Sequence, residues 1–156
     1  MCIAVLRDQI LGALSEFPHR HIPAIVLKSG NKLPGCPMAN ILVVEDSEDV
    51  RNIICNSLED YDVLEAQDGS EALAILATRR PALALIDVLL PGGLSGLAIA
   101  TRARALGVPV LLMTGGDMSE IDLAGFTCIR KPFPLTLLLD HIEDELSRFC
   151  LPGRVA

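Results

Sequence analysis

From Ile41 onward the chain repeats one pattern: a short, uninterrupted apolar run, then a stretch of helical rhythm. "ILVVE" (41–45), "LALID" (83–87) and "VPVLLMT" (108–114) are apolar at consecutive rather than alternate positions, so both faces of each strand must be covered. Strands buried on both faces and separated by helices require a parallel sheet with helices on either side, joined by right-handed crossovers. This favours an α/β fold. The composition suits such a core, because 51% of the 156 residues are hydrophobic while only 3% are aromatic, which leaves Leu, Ile, Val and Ala to fill it.

The remaining elements follow from local chemistry. Ser47 caps a helix whose apolar positions Val50, Ile53, Ile54 and Leu58 form one stripe. "DVLEA" (62–66) is a second strand, and Asp68 with Glu71 is a capping-box pair that opens a helix running to the break at Pro81. Ser95 caps a third helix that stops at Gly107. "FTCIR" (126–130) is a weaker fifth strand. The last helix follows Pro134, with Leu135, Leu138, Leu139, Ile142 and Leu146 on one stripe.

Charge is uneven along the chain. Residues 40–150 carry eight basic against eighteen acidic side chains, a net charge of −10, which repels phosphate backbones and argues against direct nucleic-acid binding. The five cysteines are odd in number and widely spaced, with no C-x-x-C pair, so neither a disulfide framework nor a zinc site is expected. No run reaches the roughly 18 apolar residues of a membrane span, and Arg7–Asp8 interrupt the apolar N-terminus. The expected location is cytoplasmic, with no membrane partner.

In open parallel sheets, ligands gather at the carboxyl ends of the strands. Here the first strand ends in Glu45–Asp46, the third in Asp87, the fourth in Thr114 and the fifth in Lys131 before Pro132. Three carboxylates at one edge repel one another unless a cation lies among them, and hard oxygen ligands suit Mg²⁺. A hydroxyl and an ammonium beside them can meet a second anion.

"ILVVEDS", "LALIDVLLP", "VPVLLMTG" and "IRKPF" closely resemble, in order and spacing, the receiver domain of two-component response regulators, over about residues 39–149. The resemblance implies a flavodoxin-like, doubly wound five-stranded parallel sheet of order 2-1-3-4-5. It implies that Asp87 takes a phosphoryl group from a sensor histidine kinase or a histidine phosphotransfer protein. Glu45 and Asp46 match the Mg²⁺-binding acids, Asp46 being the direct ligand, and the Leu89 backbone carbonyl completes the protein's share of the metal shell together with Asp87. Thr114, Lys131 and the Gly115 amide match the groups that receive the phosphoryl oxygens. A downstream target protein reads the state, and a homodimer is compatible with the family.

The chain departs from the family pattern at three places. The loop between Asp87 and Gly96 is one residue longer than is commonest. Thr114 and Lys131 are only seventeen positions apart, so the helix between them must be short or absent, which places the expected switch in ordering of residues 115–125. Cys128 occupies the position where many members carry a switching aromatic ring. Residues 1–38 read as an extension dispensable for phosphorylation, with His19 and His21 as solvated loop residues, and 151–156 as a tail too short for an output module. Two rivals fit less well. An aspartate-nucleophile, Mg²⁺-dependent phosphatase wants a second Asp at position 89, where Leu stands, and a flavin-binding module would find "EDSED" repelling its phosphate.

Overall fold

The computed structural model describes residues 39–116 and 122–149. The expectations for residues 1–38, for the tail 151–156 and for the central part of 115–125 lie outside them. Five parallel strands, β1 (Asn40–Val44), β2 (Asp62–Ala66), β3 (Leu83–Asp87), β4 (Val110–Thr114) and β5 (Thr127–Arg130), form one sheet of order 2-1-3-4-5. This is the predicted flavodoxin-like order. Helices α1 (Glu48–Ser57), α2 (Gly69–Thr78), α3 (Gly96–Ala105) and α4 (Leu135–Phe149) cover it. Among the described residues no helix lies between β4 and β5.

The two-residue period of a strand divides the apolar runs between two cores. Leu42, Val44, Ile86 and Leu112 face α2 and α3, packing on Ala72, Leu76, Ile99, Ala100 and Ala103. Ile41, Val43, Leu85, Leu111 and Met113 face the other way, onto Ile54 and Leu58 from α1 and Leu138 and Ile142 from α4. This is why the runs could not alternate with polar residues: every position in them is interior.

Two residues placed on apolar stripes are in fact exposed. Ile53 is 56% exposed, because the line that meets the sheet runs through Ile54 and Leu58 and leaves position 53 a step around the helix. Leu135 is 39% exposed, since it opens α4 one turn before the first residue that meets the sheet. The second helix also ends sooner than expected. Arg79 is extended (φ −120°, ψ 148°), so α2 stops at Thr78 and both Arg79 and Arg80 stand outside it. Pro81 disfavours helical backbone at Arg80, the residue before it, so the helix is not carried up to the proline.

The helix starts are set by side chains a few residues away. The Asp68 carboxylate accepts from the Ser70 and Glu71 amides at 2.8 and 2.9 Å. Glu71 does not close the reciprocal box on Asp68 but accepts from the backbone and side-chain nitrogens of Gln67, both at 3.0 Å. Ser95 Oγ accepts from the Ala98 amide, and Gly107 (φ +77°) turns the chain out of α3 in the left-handed region, where glycine has no Cβ to clash. Asp68→Ala is expected to lower unfolding stability by about 1–2 kcal/mol, read as a shift of the urea midpoint at unchanged slope, because two amides lose their acceptor. An unchanged midpoint would show that solvent satisfies those amides equally well.

Candidate functional site

All five strands are parallel, so their carboxyl ends lie along one edge. Asp87 closes β3 and Thr114 closes β4, Glu45 and Asp46 follow β1 directly, and Lys131 follows β5. The backbone fixes these positions: the Glu45 amide donates to the Ala66 carbonyl at 3.1 Å, and the Lys131 amide donates to the Thr114 carbonyl at 2.7 Å. Residues as far apart as 45 and 131 are thereby brought to one place.

Carboxylate oxygens of Glu45, Asp46 and Asp87 lie within 4.8 Å of one another. Glu45 and Asp87 are buried, at 2% and 5% exposure, and Asp46 is exposed. Lys131 Nζ donates to Asp87 Oδ2 at 2.7 Å and to Glu45 Oε2 at 2.5 Å. Burial by itself would lower the Lys131 pKa, but the hydrogen bonds and charges of Asp87 and Glu45 together outweigh it and hold the pKa above the ordinary lysine value. Since the folded value is the raised one, the ammonium's contribution to stability is fully present below the ordinary lysine pKa. It is lost only as pH rises through the folded value. Lys131 is therefore a fixed cation at neutral pH. Three carboxylates against one ammonium leave a formal charge of −2, which a divalent cation would neutralise.

The two acids of the pair are not equivalent. Glu45 Oε2 is engaged by Lys131 and its Oε1 lies 3.4 Å from the Ser47 amide, whereas Asp46 makes no hydrogen bond among the described residues. Asp87 is held from both sides, with Oδ1 accepting from the Leu89 amide at 3.0 Å and Oδ2 from Lys131. The Leu89 side chain is half exposed and lies against Gly116.

Thr114 is fully buried, and its Oγ1 accepts from the Gly116 amide at 3.2 Å. Among the described residues its hydroxyl has no hydrogen bond to Asp87 or to Lys131. The structure thus joins Glu45, Asp46, Asp87 and Lys131 into one cluster and holds Thr114 beside it, while Gly115 is exposed next in the chain. Cys128 is half-buried on β5, and burial first, then the negative charge of Asp87, raises its thiol pKa. No aromatic ring stands at that position.

Two residues of this neighbourhood carry no obvious signal in the sequence. Arg51 on α1 donates from Nη1 to the Glu45 carbonyl at 2.8 Å and pairs through Nε with Glu65 at 3.2 Å, so it steadies the backbone on which the acidic pair rides. Gly96 packs so closely beneath Asp87 that a Cβ there would lie 1.8 Å from the Asp87 carbonyl oxygen. The hint was a glycine directly after the capping Ser95, where a helix gains nothing from one.

The family model for the response regulator receiver domain matches residues 41–143. Response regulator MprA of Mycobacterium sp. (strain KMS) is 37% identical over 117 residues, which cover 69% of this chain and 50% of that protein. MprA of Mycobacterium avium (strain 104) is 36% identical over the same length. The chain therefore spans about half the length of the curated relatives it matches. Among solved structures, a CheY-like receiver domain protein from Methanospirillum hungatei JF-1 has a TM-score of 0.66 at 26% identity, with 72% of this chain and 96% of that one covered. Vibrio cholerae chemotaxis protein CheY4 has a TM-score of 0.63 at 28% identity, covering 70% of this chain and 99% of that one.

Proposed function

Because the chain belongs to the response regulator receiver family, we propose that it is a phosphoacceptor which takes a phosphoryl group onto Asp87 from a histidine kinase or phosphotransfer protein. The observation that carries this reading is the position of Asp87: a buried carboxylate at a strand end, fixed on one oxygen by an amide and on the other by a lysine, with two further acids alongside. An Asp87 oxygen attacks phosphorus and forms a new P–O bond. The P–N bond of the donor phosphohistidine breaks, and its electron pair leaves on the imidazole nitrogen, which takes a proton.

Phosphoryl transfer through a loose, charged transition state asks the protein for positioning and countercharge more than for covalent chemistry. The Leu89 amide and Lys131 already orient the nucleophile, so little ordering remains when the donor arrives. Lys131 can follow the developing charge from the carboxylate to the phosphoryl oxygens. The Thr114 hydroxyl and the Gly115 amide are the further donors assigned to those oxygens. Glu45, Asp46, Asp87 and the Leu89 carbonyl would hold Mg²⁺, with Asp46 the most available of the acids. Bound there, the ion supplies countercharge to the phosphoryl oxygens. The group added to Asp87 brings about −2 charge, enough to redirect nearby donors and so present an altered surface to a target protein.

Two measurements test this. Incubation of the full chain with acetyl phosphate and Mg²⁺, followed by intact and peptide mass spectrometry, should give one phosphoryl adduct on Asp87 and none when the metal is chelated. An adduct on another residue would overturn the assignment. Asp46→Ala should weaken Mg²⁺ binding, followed by calorimetric titration, by more than about tenfold, since one of few charged ligands is lost. The apo protein should be no less stable, because a like charge leaves a crowded cluster. Unchanged Mg²⁺ affinity would remove Asp46 from the metal site.

A further inference from the structure

Helices α2 and α3 return from the carboxyl ends of the strands, so their own C-terminal ends lie at the edge opposite Asp87. Between those ends is a groove of about 410 Å³ lined by Leu73, Leu76, Ala77, Arg80, Arg102 and Leu106. Leu76 is buried and Leu73 and Leu106 half-buried, while Arg80 and Arg102 are exposed, so the floor is apolar and the rim cationic. Leu73, Leu76 and Ala77 share one face of α2 with Arg80 just beyond its end, and Arg102 on α3 and Leu106 at its C-cap line the other side.

The charge at this corner, between the C-terminal ends of α2 and α3, is opposite to that of the domain, whose acids at the same edge (Glu59, Asp60, Asp62) belong to the α1–β2 connection and the start of β2. The described residues include sixteen acidic and eight basic side chains, and four of the eight, Arg79, Arg80, Arg102 and Arg104, are gathered here. No acidic residue lies on α3, nor on α2 after its first turn. Arg104 is occupied, donating to the Ala124 carbonyl at 2.9 Å and stacking on Phe126. Among the described residues neither Arg80 nor Arg102 is in an ion pair. Cations near helix C-termini offset the helix dipoles, which accounts for basic residues here but not for the leucine floor left open between them.

We propose that this groove docks an acidic amphipathic peptide segment of a partner protein, with one apolar side chain over Leu73, Leu76 and Leu106 and flanking carboxylates on Arg80 and Arg102. Guanidinium groups pair with carboxylates through two parallel hydrogen bonds, which sets orientation as well as affinity. The surrounding acidity selects a short segment. A nucleic acid running beyond the four arginines would meet repulsion, and a second copy of the chain approaches with the same net negative charge. The groove is at the far end of the strands from Asp87, so it can be filled without blocking the phosphoacceptor edge.

The probe is a fluorescein-labelled synthetic helical peptide with a leucine row flanked by glutamates, and its control carries lysines instead. Titrated into the full chain, the glutamate peptide should bind saturably and more weakly as NaCl rises, with amide shifts gathered at 73–80 and 102–107. The lysine peptide should not bind. R80E/R102E should weaken binding at least tenfold while leaving acetyl phosphate labelling intact, because both residues are exposed and remote from Asp87. Ala77→Trp, which fills the floor and changes no charge, should do the same and serves if the double variant is unstable. The proposal is overturned by absence of binding at millimolar peptide, by binding that R80E/R102E leaves unchanged, or by shifts elsewhere. It is equally overturned if R80E/R102E abolishes self-association of the free chain or recruitment to phosphatidylglycerol vesicles while peptide binding is absent, since the occupant would then be a second copy or a lipid surface.

Discussion

Asp87→Asn is expected to abolish phosphorylation by acetyl phosphate and to leave the fold intact. An amide oxygen has the shape of the carboxylate oxygen it replaces and can still accept from the Leu89 amide, so the strand end should keep its geometry. What would be lost is the anionic nucleophile of the proposed transfer, and without it no acyl phosphate should form. Lys131 retains Glu45 as a partner, and a crowded cluster loses one negative charge, so thermal stability should stay within about 1 kcal/mol of the parent. The measurement is intact mass after saturating acetyl phosphate and Mg²⁺, with a thermal melt alongside. Asp46 is the sharpest competitor, because it is exposed and makes no hydrogen bond among the described residues. Labelling that survives in Asp87→Asn, on Asp46 or anywhere else, would sink Asp87 as the acceptor.

The second large effect is structural and separates two neighbouring glycines. At Gly96 a Cβ would stand 1.8 Å from the Asp87 carbonyl oxygen, 2.7 Å from its carbonyl carbon and 2.8 Å from Val88 Cα. All three are backbone atoms, and the Gly96 amide donates to the Val88 carbonyl, so neither side can yield without moving β3 or α3. Overpacking against side chains costs about 1–3 kcal/mol. Against a fixed backbone the upper end or more is expected, so Gly96→Ala should lower Tm by more than about 10 °C. At Gly93 nothing lies within 4 Å of the added Cβ, and Gly93→Ala should be neutral or slightly stabilising. Phosphorylation should fall in Gly96→Ala even at temperatures where it remains folded, since the displaced backbone is that of Asp87, the proposed phosphoacceptor. Equal Tm values for the two variants would show that the β3–α3 connection is slack and that Gly96 does not set the height of Asp87.

The features legible in the sequence are those decided within a few residues. Consecutive apolar runs placed the strands, and capping chemistry at Ser47, Asp68 and Ser95 placed the starts of three helices, because a cap contacts amides only two or three positions away. The same runs showed that both faces of the sheet are covered, and the reactive residues at their ends marked one edge as the candidate site. The errors were local too. Ile53 and Leu135 belong to the right helices, but periodicity alone does not say how far a helix is rotated on its sheet or where the sheet ends beneath it.

Tertiary structure alone decided the partners. Glu45 and Lys131 are 86 positions apart and meet only because β1 and β5 run parallel toward one edge, the register through β3 and β4 setting Val44 level with Cys128. The same lysine engages Glu45 Oε2 and gives Asp87 a second anchor besides the Leu89 amide, while Asp46 makes no hydrogen bond among the described residues. Thr114 bonding to Gly116, Arg51 reaching the Glu45 carbonyl and Gly96 passing beneath Asp87 are decisions of the same kind. Periodicity and capping act over one helical turn and so can be read along the chain. Which donor reaches which acceptor depends on the packing of segments remote in sequence, and only the assembled sheet fixes that distance.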